Sequence, residues 1–146
     1  MQIADIIRFL ETLAPPSLQE GYDNAGLLTG STGWDCAGVL ISLDATEEVV
    51  MEAKANGINL IVAHHPIVFS GLKRITGKNY VERAVIASIK HDIAIYAIHT
   101  NLDNVLRGGV NERIAKQLGF AVSGVLRPAA GLLMKLAVYV PNEQAD

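Results

Sequence analysis

Cysteine is nearly absent: Cys36 is the single one in 146 residues. No internal disulfide can staple the chain, and this usage suits a reducing cytoplasm. No histidine or basic residue adjoins Cys36, so it reads as a buried or idle thiol. Charge is also scarce, at 18% of residues with a net charge of −3. Without a polybasic block there is no electrostatic footprint for nucleic acid. A phosphate-bearing small molecule stays open, because a bound metal supplies positive charge that composition does not count. No apolar run approaches the roughly 20 residues of a membrane-spanning helix. The patterns GxxxxGK[ST], GxGxxG and GxSxG are all missing, which removes support for P-loop, dinucleotide and serine-hydrolase readings. There is no internal repeat and no low-complexity tract.

What is present is apolar. Half the residues are hydrophobic, enough at this length for one domain with a substantial core. The start, MQIADIIRFLETLAPP, carries acids among its apolar residues and is expected to be a helix, not a signal peptide. Ile3, Ile6, Ile7, Leu10 and Leu13 fall on one helical stripe that Pro15 and Pro16 end. A Gly-punctuated stretch follows from Gly21 to Gly38. GVLISLD then contains a short apolar run, 39–43, with the character of a buried strand. Residues 46–56 have helical spacing at Val49, Val50 and Ala53, with Gly57 just past the end. NLIVAHH is a second buried strand, followed by a polar loop and a helix over 80–90. IAIYAIH is a third strand; another polar loop leads to a helix over 110–118, ended by Gly119. The late run LLMKLAVYV alternates enough for an edge or second-layer strand. Strands alternating with helices predict an α/β fold, with a largely parallel sheet and flanking helices.

In such a sheet the carboxyl ends of the strands share one rim, where ligands bind. The first strand ends in Asp44, the second in His64-His65-Pro66, the third in His99, with Asp103 four residues on. Imidazole and carboxylate are donors that zinc, iron, manganese and nickel accept. Neighbouring side chains on a strand point to opposite faces, so His64 and His65 can share a site only where the chain leaves the sheet. One arrangement has each facing a different ion, with Asp103 bridging, since a carboxylate has two oxygens to share. The same residues also admit purely structural roles. A His-His pair can cap a strand end by bonding backbone, and the acids of DATEE suit a helix N-terminus. His99 is open between a ligand and a residue that supports the ligands from behind or faces substrate. His91, near a helix end, is accounted for by the helix dipole. Asp23 and Asn24 of YDNAG form a polar turn or a substrate-facing wall. Lys73 and Arg74 are a solvated pair or phosphate contacts, and Gly108-Gly109 an anion seat or a turn.

YDNAGLLTG, LDAT followed by acids, LIVAHHPIVFSGLKRITG and IYAIHTNLDNVLRGGVN resemble, in order and spacing, the NIF-three-like family. Its members are also called dinuclear metal-centre hexameric proteins or type-two GTP cyclohydrolase homologues. The similarity runs from about Ile3 to Leu136. It implies that His64, His65 and Asp103 are metal ligands and that His99 lines the same pocket. It also implies two divalent ions and a homo-oligomer, a hexamer in the family. The fold it implies is a pair of related α/β halves, of which this chain resembles the N-terminal one. Residues 1–136 form the metal-binding domain on this reading, and 137–146 begin an insert or the second half. The family's remaining ligands, a His and a Glu separated by three residues, belong to that other half. With His64, His65 and Asp103 alone, or with His99 added, the dinuclear site is under-liganded, so weak or partial metal binding is expected.

Two functions follow from these readings. One is a metal-dependent hydrolase acting on a nucleotide or related phosphorylated small molecule, with His99 as the catalytic acid/base. The alternative is a non-enzymatic metal-binding scaffold, regulatory or protein-interacting.

Overall fold

Strands whose residues are apolar without alternation need cover on both faces, and the architecture supplies it. The computed structural model describes residues 1–128. The run LLMKLAVYV and the boundary at 136 lie outside the described residues. Strands β3 (Leu60–Ala63) and β4 (Ala94–Ala97) are buried at every position. They pair in parallel, and β2 (Val39–Ser42) pairs in parallel with β3 on the other side. Leu60 and Val62 of β3 face a core with Ile3 and Ile7 of helix α1 (Ile3–Leu13). Ile61 and Ala63 face the opposite core, with Val50 and Ala53 of α2 (Glu47–Ala55) and Ala87 of α3 (Tyr80–Lys90). The period of two along a strand sends successive residues to the two cores. α1 places Ile6 and Leu10 against its core as its stripe predicts, but Leu13, at the last turn, is exposed.

The sheet is mostly parallel, with strand order β1 (Gly26–Thr29), β4, β3, β2. The first strand in chain order, β1, lies inside the Gly-punctuated stretch, where periodicity predicts no strand, and it pairs antiparallel with β4. The register slips between Leu27 and Thr29, and Thr29 Oγ1 accepts a hydrogen bond from the Ile95 amide. A short edge strand with a bulge has no long period to betray it. At the far edge, Val39 and Ile41 of β2 and Leu43 just after it are exposed, so the run 39–43, expected to be a buried strand, is an edge strand covered on one face only.

Gly30 closes β1 at φ +89°, and a Cβ there would lie 2.7 Å from the Ala94 Cβ. Gly30→Ala therefore combines left-handed strain with a clash against a strand buried on both faces. It is expected to lower unfolding free energy by about 2–4 kcal/mol, measured by chemical denaturation. A loss indistinguishable from that of an exposed-surface alanine substitution would refute the close approach.

The loop ahead of α3 is organised by one carboxylate. Glu82 accepts from the Thr76 amide and hydroxyl, the Lys78 amide and the Asn79 side chain, while its own amide donates to Asn79 Oδ1. The Lys78 and Thr76 amide bonds, with the Thr76 hydroxyl, hold the Glu82 carboxyl below the usual carboxylate range. A depressed folded-state value stabilises the protein at neutral pH, and this contribution disappears as pH falls through that value. Glu82→Gln should thus lower the melting temperature at pH 7. The difference from the native protein should shrink on acidification below the ordinary glutamate range. A gap constant with pH would contradict the assignment.

Candidate metal centre

Register decides what meets at the rim. Ser42, Ala63 and Ala97 end three parallel strands and are mutually aligned, Ser42 opposite Ala63 and Ala63 opposite Ala97. Asp44, His64, His65 and His99 therefore leave the sheet side by side. The His64 amide donates to the Ser42 carbonyl at 3.1 Å and the His65 amide to the Leu43 carbonyl at 2.9 Å. These bonds carry both histidines beyond β3 while keeping them tied to β2.

Three imidazoles converge. Ring centroids are 5.0 Å apart for His64 and His65, 5.2 Å for His64 and His99, and 5.7 Å for His65 and His99. One ring nitrogen from each lies within 4.8 Å of the others. The two consecutive histidines do come together where the chain leaves the sheet, and His99 is as much a part of the compact group as they are.

Each ring is oriented from behind through Nδ1. His64 Nδ1 donates to the Ile98 carbonyl at 3.0 Å, His65 Nδ1 to Asp44 Oδ1 at 2.9 Å and His99 Nδ1 to Asp23 Oδ1 at 2.8 Å. A carbonyl or an ionised carboxylate only accepts, so the hydrogen of a neutral ring sits on Nδ1 and Nε2 keeps its lone pair. Backing a ring nitrogen with an oxygen acceptor is how proteins fix ligating histidines.

Asp103 is the last residue of α4 (Thr100–Asp103), a four-residue helix inside the region expected to be a loop. Its Oδ1 stands 3.7 Å from His64 Nε2, too far for a hydrogen bond. With the His64 hydrogen committed to Ile98, a lone pair faces a carboxylate oxygen. A proton on the ring or a cation between the two relieves that apposition. The donor set therefore fits a divalent ion, with Asp103 approaching from the His64 side of the triad. α4 is held at both ends: Asn101 Oδ1 accepts from the His99 amide, and Asn111 Nδ2 donates to the Asp103 carbonyl.

Asp23 is not placed on a substrate-facing wall. Its side chain has 0% exposure, and it accepts from His99 Nδ1, from the Thr100 amide at 3.1 Å and from the Thr100 hydroxyl. Burial pushes its carboxyl up, but bonds from the Thr100 hydroxyl, His99 and the Thr100 and Asn24 amides outweigh that and leave it below the usual range. Asn24 is exposed, yet its amide is spent on the Val68 carbonyl, tying two loops together. Asp44 does not cap α2, whose N-cap is Thr46; it backs His65 instead. The signal for these two carboxylates was an aspartate on a loop at the same rim as a histidine, which spacing alone could not assign to a particular ring.

The remaining candidates lie outside the cluster. His91 is the C-cap of α3, where burial and then Lys54 and Lys90 push its pKa down. Lys73 and Arg74 are exposed in the loop after β3 and make no ion pair among the described residues. At Gly108-Gly109 the anion seat is filled by the chain itself: the Gly108 amide donates to Glu112 Oε2 at 2.6 Å. That glutamate belongs to α5 (Val110–Gln117).

The family model for Duf34/NIF3 (NGG1p interacting factor 3) matches residues 1–144. A GTP cyclohydrolase 1 type 2 homolog of Clostridium perfringens is 43% identical over 120 residues, covering 82% of this chain and 45% of its own length. The homolog of that name from Bacillus subtilis is 41% identical over 142 residues, covering 97% and 38%. Among solved structures, a Bacillus cereus protein related to NIF3 superposes with a TM-score of 0.81 at 43% identity, over 88% of this chain and 35% of that one. The chain thus spans less than half the length of these relatives.

Proposed function

The chain belongs to the Duf34/NIF3 family, and from that premise we propose that it contributes a divalent-metal centre to a hydrolase acting on a nucleotide or related phosphorylated small molecule. The observation that carries this reading is the apposition of His64 Nε2 and the Asp103 carboxylate at 3.7 Å, beside two further imidazoles whose bonded nitrogen among the described residues is Nδ1. His64, His65 and Asp103 are the proposed ligands. Zinc, iron, manganese or nickel bound there supplies Lewis-acid polarisation and the activation of water near neutral pH. His99 has the arrangement of a proton carrier: its Nδ1 is fixed by a buried carboxylate, which leaves Nε2 of the neutral ring with a lone pair to accept a proton and return it. Asp23 and Asp44 hold the rings in register. The names of the relatives, GTP cyclohydrolase 1 type 2 homolog, favour a purine nucleotide within the substrate class.

Three ligands and an open position suit one tetrahedral ion and leave a second under-liganded. Residues 1–146 alone are expected to hold one ion firmly at most. Two tight ions per chain, found by elemental analysis, would contradict this ligand set. The hydrolase reading is tested with full-length protein purified without added metal, analysed for its elements, then assayed on nucleotides and model phosphoesters. Turnover that depends on metal and on His64 is the expected result. Turnover that survives His64→Ala would end the proposal.

A second reading, a metal-binding scaffold for a protein partner, is favoured by the family description itself, an interacting factor. Metal retention without turnover across the panel would select it.

A further inference from the structure

Two aromatic rings stand beside the histidine cluster without a role in the core. Phe69 follows the His64-His65 corner and is 49% exposed, and Tyr22 precedes Asp23 and is 68% exposed. Their centroids are 6.5 Å apart with planes tilted by 45°. Phe69 meets His99 edge-on, at 6.4 Å and 83°. The backbone beneath the rings is pinned: Asn24 bonds the Val68 carbonyl across the two loops, Gln19 Nε2 donates to the Asp23 carbonyl, and Asp23 is anchored on Thr100. Loops so constrained have the means to bury their aromatics, yet leave both exposed, with Phe69 against the His99 ring.

Resting on the hydrolase reading and deepening it, we infer that Tyr22 and Phe69 form the recognition platform for a planar heteroaromatic ring, the base of a nucleoside or nucleotide. Aromatic faces take flat π-systems in offset or edge-on contact, and such stacking tolerates different bases. The edge of a ring stacked there reaches toward His99, whose imidazole borders the platform. Base recognition then comes from this aromatic pair, and the histidine cluster is left to the polar part of the molecule. A ligand lacking a flat ring, such as a sugar phosphate, gains nothing from the pair.

The test uses the full chain with chelator present, so that binding is read apart from metal. Adenosine, guanosine and ribose 5-phosphate are titrated, with saturation-transfer NMR to identify the protons in contact. Base protons of the nucleosides should receive most saturation. Phe69→Leu and Tyr22→Leu should each weaken nucleoside binding about ten-fold, while Phe69→Trp, which restores a flat face, retains it. Metal content of the same three variants, measured on separate samples prepared without chelator, should be unaltered. Nucleosides that fail to bind, bind no better than ribose 5-phosphate, or bind the leucine variants unchanged would each overturn the platform. These results are separable from the hydrolase reading, which fails on His64→Ala turnover whatever the nucleosides do.

Discussion

Removal of the His64 imidazole is expected to lower divalent-metal affinity by about 100-fold or more, beyond the 10–100-fold typical of groups that only orient ligands. His64 has the shortest ring separations in the triad, 5.0 and 5.2 Å, and is the histidine facing Asp103. Its alanine variant loses a donor and leaves the Asp103 carboxylate without its nearest polar neighbour at the cluster. The Ile98 carbonyl also loses its side-chain donor, though it is a neutral acceptor beside a half-buried ring, so stability should fall by only about 1 kcal/mol. Isothermal titration of zinc or manganese into the native, His64→Ala and His91→Ala proteins separates these effects. His91→Ala, at the far end of α3, should bind as the native protein does. Equal affinity in all three would place the metal elsewhere or nowhere.

Asp23→Ala is expected to be the most damaging single change near the site for stability. Its carboxylate is the common acceptor for the His99 ring, the Thr100 amide and the Thr100 hydroxyl, and its side chain has no exposed surface. Deleting it leaves three donors unmatched at the start of α4, a loss of about 2–3 kcal/mol in unfolding free energy. Asp23→Asn keeps the shape but opposes its amide hydrogens to donors that need an acceptor. His99 then has no reason to keep its hydrogen on Nδ1, and the nitrogen at the cluster is no longer assured a lone pair. Nitrogen chemical shifts of the His99 ring should report the change of tautomer, and metal affinity should fall about 10- to 100-fold. A variant with native stability and an unaltered His99 tautomer would show that Asp23 does not position the ring.

Legibility in the sequence followed the range of the signal. The caps and periods of α2 and α3 are local: Thr46 before Val49 and Val50, and Asn79 with Glu82 ahead of Ala84 and Val85, are written within a few residues. The buried strands LIVA and AIYA are equally local, since cover on both faces leaves only apolar residues. β1 escaped because GLLT is four half-buried residues between glycines, recruited by pairing with Tyr96 and Ala97. α4 escaped because four residues cannot display a helical period. At the site, the histidines and Asp103 were readable as strand-end chemistry, but their distances were not.

By itself, local patterning determined that this chain builds an α/β sheet and that His64, His65, His99 and Asp103 collect along one rim. Periodicity and turn residues act over a few positions, and parallel crossovers carry the ends of β2, β3 and β4 to the same side. Only the tertiary structure decided which carboxylate stands behind which imidazole. Asp23 and His99 are 76 residues apart in the chain, and their bond exists because β1 and β4 lie side by side, bringing a loop and a helix start into contact. The same packing turned Asp23 inward, and set Tyr22 and Phe69, from distant loops, next to each other.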